Sequence, residues 1–262
     1  MNKSYLISFI FALLFVSVLD VSAQASVLND QKYIGDDGVF HIVGEIQNDL
    51  GVPLNQVVVI ATLYSEENQI LDTAKTTSIL ETIMPDNRGP FDLLFVNQNV
   101  QFVESYTIEL EYELTDFKAQ VLEVMSLDSR QDPLDNFIIS GIVMNHGDIT
   151  SNIVVVIATL YDKEGNVATV GKAYPEPGYL GSGEKTPFVI SFADKAQANK
   201  AVNYNLSVES EEHTTVPEFP IGSGILLAVS VSAYVLITRM PDTLAPGLAR
   251  VMNPRLALHT QE

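Results

Sequence analysis

The chain has 262 residues, no cysteine and a formal net charge of −19. Ser26–Glu218 alone holds 10 Lys and Arg against 30 Asp and Glu, a field that repels phosphate backbones, so nucleic acid is not expected as a partner. Without cysteine there is no disulfide framework, no thiolate nucleophile and no Cys-ligated zinc, iron–sulfur or blue-copper centre.

Residues 1–25 have the order of a secretory signal. Asn2 and Lys3 precede a charge-free, mainly apolar run from Tyr5 to Leu19, and Ser22-Ala23-Gln24-Ala25 supplies the small residues of a cleavage site. Cleavage is expected after Ala25, with Ala23 as the alternative. The run is shorter than the roughly 20 residues needed to span a bilayer, which favours a removed signal helix over an anchor.

The middle of the chain is a duplication. Val57-Val-Val-Ile-Ala-Thr-Leu-Tyr64 recurs unchanged as Val154–Tyr161, an offset of 97 that also aligns Gly44 with Gly141, Asn48 with Asn145, and Pro90-Phe91 with Pro187-Phe188. Anchors in one register over so long a stretch mark two complete domains, 26–118 and 119–213. Their periodicity is that of strands. Thr107–Thr115 alternates, with Ile108, Leu110, Tyr112 and Leu114 on a core face and Glu109, Glu111 and Glu113 on a solvent face. Phe40–Ile46 and Phe137–Val143 are β-rich and end in the turn formers Asn48-Asp49 and Asn145-His146-Gly147. The octapeptide is nearly continuous in apolar character, as a central buried strand is. Tyr161–Val167 reads as a hairpin turn with positive φ at Gly165 or Asn166. The expected fold is all-β: two tandem immunoglobulin-like β-sandwiches, with no convincing amphipathic helix between the termini.

Residues 214–220 form a Pro-containing linker. Phe219–Thr238 carries no charge over a length that matches a bilayer, so 221–239 is expected as a transmembrane helix. In the tail 240–262, Arg250 and Arg255 face only Asp242 and Glu262, which places the tail in the cytoplasm and the domains outside. Gly224, Ala228 and Ser232 give the helix a small-residue stripe that a lone anchor also shows.

No residue pattern announces catalysis, a cofactor or a metal. Gly178–Thr186 looks like a phosphate loop, but Glu184 separates Gly183 from Lys185, and Pro187-Phe188 opens a strand where a helix N-terminus is required. The histidines, His41, His146, His213 and His259, lack ligand spacing, and strand-face or surface positions are expected for them. Glu109, Glu111 and Glu113 lie too far apart along one strand to clasp calcium. Neither a Gly-x-Ser-x-Gly elbow nor a His-Glu-x-x-His helix occurs, and the expectation is that the chain is not an enzyme. Outside the signal segment the one N-glycosylation sequon is Asn205-Leu206-Ser207, making Asn205 a candidate acceptor.

Gly-x-Val/Ile-x-Asn, then Val-Val-Val-x-Ala-Thr-Leu-Tyr-Asp, a Gly-Asn turn and a later Pro-Phe resemble the FxLYD-type immunoglobulin-like domains of prokaryotic surface proteins, with Leu160-Tyr161-Asp162 as the fuller match. Pro217-Glu218-Phe219-Pro220, the apolar span and the basic stop at Arg239 resemble the PEF-type C-terminal sorting signal of archaeal surface proteins. These resemblances imply a membrane-anchored cell-surface module, structural or binding, with no catalytic activity of its own. They imply partners in the membrane and among envelope proteins or glycans. The alternative is a surface accessory protein that binds a small ligand or a metal ion.

Overall fold

The computed structural model describes residues 24–96 and 98–215. The signal segment up to residue 23, the transmembrane helix 221–239, the tail and the sorting-signal residues Pro217, Glu218, Phe219, Pro220 and Arg239 lie outside the described residues. Among the described residues no helix is long and apolar enough to cross a membrane.

The described chain is all-β, with sandwich-like pairs of sheets, and belongs to one compact unit. The first repeat contains β1 (Ala25–Ile34), β2 (Phe40–Asn48), β3 (Leu54–Tyr64), β4 (Ile70–Thr77), β5 (Thr82–Ile83), β6 (Arg88–Phe95) and β7 (Ser105–Leu114). One sheet runs β1-β2-β6. The other has β3 in its centre, paired with β4, β5 and β7. The second repeat contains β8 (Ala119–Gln131), β9 (Phe137–Asn145), β10 (Ser151–Asn152), β11 (Val155–Tyr161), β12 (Val167–Ala173), β13 (Tyr179–Leu180), β14 (Lys185–Ser191), β15 (Asn203–Glu209) and β16 (His213–Thr215). There β16 bridges β15 and β8, the latter in parallel, and so joins the two sheets into the order β12-β11-β15-β16-β8-β9-β14. A strand thus extends to Thr215, into the first two residues of the stretch 214–220 expected as linker; Thr214 and Thr215 carry no periodic signal, and their pairing is tertiary.

The offset of 97 governs the backbone as well as the sequence. Positive φ occurs at Asn29, Gly38, Gln56, Asn68 and Asp86, and again 97 residues on at Ser126, Asp135, Ile153, Gly165 and Gly183. The bulge between Leu28 and Gln31 on β1 returns between Met125 and Asp128 on β8. Gly165, with φ 88°, is the hairpin position expected to be left-handed. At Gln56 the pairing of β3 with β7 slips, and there the expected core face of β7 ends: Tyr112 and Leu114 are exposed, whereas Ile108 and Leu110 pack on the core.

Two anchors have a steric origin. Gly44 lies opposite Phe91, and Gly141 opposite Phe188. A Cβ on Gly44 would stand 2.8 Å from Phe91 Cζ, and one on Gly141 would stand 2.9 Å from Phe188 Cε1. Each phenyl ring covers its glycine and faces the core, so glycine and Pro-Phe recur together. Gly141→Val is expected to lower stability by about 1–3 kcal/mol through overpacking, read as a shift of the urea midpoint at constant m-value.

Candidate functional site

The polar groups of the described chain converge where the two repeats meet. Strand β2 alternates in the ordinary way: Ile42, Gly44 and Ile46 face the first core, while His41, Val43 and Glu45 face outward. An outward face on a solvated sheet is polar and wet, yet these three residues are buried. The cover is the second repeat, whose β12 lies across β1, β2 and β6. Ile157 on β11, only 1% exposed, joins the buried apolar cluster of the first repeat, with Val155 and Val170 packed beside it. This explains why β11 is buried on both faces while β3, with the same octapeptide, alternates between buried and half-buried.

Three polar clusters stitch this seam. At one end, the Glu209 carboxylate accepts the backbone N–H groups of Glu81 (2.7 Å) and Thr82 (2.8 Å) from the first repeat and the ammonium of Lys118 (2.9 Å) from the connecting segment. Burial raises the Glu209 pKa, although Lys118 and the two amides oppose it. In the middle, Glu45 accepts from Tyr161 Oη (2.5 Å), Asn29 Nδ2 (3.2 Å) and Arg88 Nη1 (3.3 Å). Burial first, and the Glu45 charge second, hold the Tyr161 phenol well above its ordinary range. Gln31 Nε2 donates to the Val167 carbonyl at 2.6 Å.

The third cluster surrounds His41. Its Nδ1 lies 2.8 Å from Asp92 Oδ1, its ring stacks on Tyr33 at 4.8 Å between centroids, and Asp37 Oδ1 lies 3.7 Å from Nε2. Asp194, the N-cap of a one-turn helix at Lys195–Ala198, accepts the Gln197 N–H through Oδ1, while its buried Oδ2 has no partner among the described residues. Gly35 provides the space. A Cβ there would come within 2.7 Å of Asp37 Oδ1, 3.0 Å of His41 Nε2 and 3.1 Å of Asp194 Oδ2. Asp36 closes the edge by accepting the Lys195 N–H at 2.9 Å. Among the described residues no group of three or more His, Asp or Glu is arranged to hold a metal ion.

The hydrogen bond to Asp92 raises the His41 pKa, against the opposing effect of burial, and the charges of Asp92, Asp37 and Asp194 add to it. A histidine whose folded pKa lies above its unfolded value contributes stability that is complete below about pH 6.5 and is lost as pH rises through the folded value. The melting temperature is therefore expected to fall across that window. In His41→Phe, which keeps an aromatic ring against Tyr33, that part of the fall should vanish; an unchanged slope would show that His41 does not couple to folding.

His41 and His213 stand on strands, one of the two placements expected, yet both are buried, 8% and 4% exposed, and His213 Nδ1 lies 2.6 Å from Ser151 Oγ. Short polar side chains on neighbouring strands satisfy them, and spacing along the chain does not show this. His146 remains at the surface beside Glu123. His41, His146 and His213 have separate partners, so no common site forms. Asn205 lies on β15 opposite Thr159 and is half-buried. Glu109, Glu111 and Glu113 are exposed on β7, and Lys185 opens a strand.

No protein-family model matches the chain, and no curated protein matches it. Among solved structures, an exo-chitosanase of Amycolatopsis orientalis is similar at a TM-score of 0.27 and 10% identity, over 74% of this chain and 26% of that one. Red sea bream transglutaminase is similar at 0.24 and 11%, over 84% and 34%. The chain spans about a quarter to a third of the length of these structures. Both of those proteins are enzymes; likenesses this distant name no reaction and no substrate for this chain.

Proposed function

We propose that this chain is an exported, membrane-anchored cell-surface module, structural or binding, built from two immunoglobulin-like sandwiches of the FxLYD type. The observation that carries the reading is the locked duplication: two repeats joined by a buried seam, with a signal-like segment before them and an apolar span after them in the sequence. Two sandwiches held as one body make a spacer that presents its faces at a fixed angle, which suits contact with other envelope proteins or glycans. The acidic ectodomain keeps such a spacer soluble and off anionic lipid. Pro217-Glu218-Phe219-Pro220 ahead of the span and Arg239 behind it are read as a PEF-type sorting signal.

The test is the intact mass of the protein extracted from native membranes, with protease treatment of whole cells. Expected are a chain beginning at Ser26 or Gln24, any glycan as added mass on Asn205, and release of the repeats from intact cells. A chain that keeps Met1 and resists protease until the cells are broken would overturn the reading. A mass ending near Pro220 would show a processed anchor, and one ending at Glu262 a retained helix.

A further inference from the structure

Each repeat has two outward sheet faces, and the chain buries one of each kind. The outer face of β11–β12 in the second repeat covers the outer face of β1–β2–β6 in the first. The two remaining faces are the counterparts of this pair: β3–β4 of the first repeat, and β8–β9–β14 of the second. We propose that these open faces dock on each other between two copies of this chain, head to tail, repeating the internal seam.

The first argument is identity. The residues that β11 turns toward the seam are Val155, Ile157, Thr159 and Tyr161; the same positions of β3 carry Val58, Ile60, Thr62 and Tyr64. The core does not require this, since these side chains point away from it. Apart from Ile70 at the end of β4, the outward residues of the flanking strands are charged or hydroxylated: Glu109, Glu111 and Glu113 on β7, Thr73 and Lys75 on β4. An outward Val-x-Ile stripe among them is the surface already seen to close on a β1–β2–β6-type sheet.

The second argument is the complementary face. Outward on β9 stand Ile138, Ile142 and Met144, beside Val189 on β14, which is 57% exposed. Their counterparts under the seam are His41, Glu45, Gln47 and Asp92. Apolar groups thus replace the titratable ones, and the new seam needs none of their buried hydrogen bonds. Tyr64, whose counterpart Tyr161 donates to Glu45, has a partner of its own in Thr107 at 3.5 Å. Charge neither drives nor opposes the contact: Glu109 and Glu111 sit opposite Ile60 and Val58 with Lys75 on the other side, while Arg130 and Lys185 on the second face are accompanied by Asp128 and Glu123. A contact between two different faces is heterologous, so the assembly is a ring or an open chain of molecules rather than a symmetric dimer.

This proposal stands on the seam alone and is independent of where the protein resides. Because the chain contains no cysteine, each introduced thiol is unique. The contact of Tyr161 with Glu45 transposes to Tyr64 of one copy and Ile142 of the next. Purified full chains carrying Tyr64→Cys or Ile142→Cys are treated with a short bis-maleimide, separately and mixed. Expected are a covalent dimer from the mixture, none from either alone, and a ladder from the double variant; adding Ile60→Asp should reduce the ladder at least about tenfold. No dimer from the mixture, or dimers of Tyr64→Cys with itself, would overturn the proposal. A ladder that Ile60→Asp leaves intact would overturn it as well.

Discussion

Ile157→Asp is expected to lower the unfolding free energy by about 3–5 kcal/mol, while Ile60→Asp, the same exchange at the same place in the same octapeptide, costs about 1 kcal/mol in dilute solution. Both variants lose β-branched packing on a central strand, a term of about 1 kcal/mol. Only Ile157 is sealed, at 1% exposure, within the apolar cluster of the other repeat. A carboxylate there has no cation beside it and must either ionise in an apolar setting or remain protonated, and both are costly. At Ile60 the carboxylate turns toward water, between Lys75 on one neighbouring strand and Glu109 on the other. Equal destabilisation of the two variants, by urea titration of each, would show that the octapeptide has one environment rather than two.

The second large effect concerns a buried asparagine that each repeat contains. Asn48 Nδ2 donates to the carbonyls of Val52 (3.0 Å) and Ile83 (2.8 Å), and its Oδ1 accepts the Leu50 N–H (2.9 Å). Asn145 does the same with Ile149, Leu180 and Gly147, each partner 97 residues on. Both side chains are fully buried and tie the end of one sheet to the short strand β5 or β13. Asn48→Ala and Asn145→Ala each strand two carbonyls and one N–H, for an expected loss of about 3 kcal/mol. Asn145→Asp keeps the shape but removes both donors and points an anion at two carbonyl oxygens, so it should be no milder than alanine. A tolerated Asp, measured by thermal unfolding at neutral pH, would mean that water reaches this site.

Much of the fold was legible because the duplication repeats its causes. The Gly44 and Phe91 pair, the Asn48 tie and the left-handed turn at Gly165 each rest on a residue type that only one geometry explains, and each returns at the same offset. The seam was not legible. Val155, Ile157, Thr159 and Tyr161 have the same letters as their counterparts in β3, so no pattern within the octapeptide says which copy is covered. His41 reads as an outward strand residue in sequence, and it is one; what buries it is β12, more than a hundred residues away. The left-handed backbone at Gln56 and Ile153 escaped for a related reason. Gln56 sits at a slip in strand pairing and Ile153 in the bend between β10 and β11, and their side chains carry none of the usual turn chemistry.

The central claim is that the two repeats are locked by a buried seam rather than strung on a linker. Differential scanning calorimetry of the full chain tests it most directly. The account predicts one cooperative transition for residues 24–215, with calorimetric and van't Hoff enthalpies in agreement, which Ile157→Asp splits into two. Two transitions in the unmutated chain, each unmoved by Ile157→Asp, would contradict it.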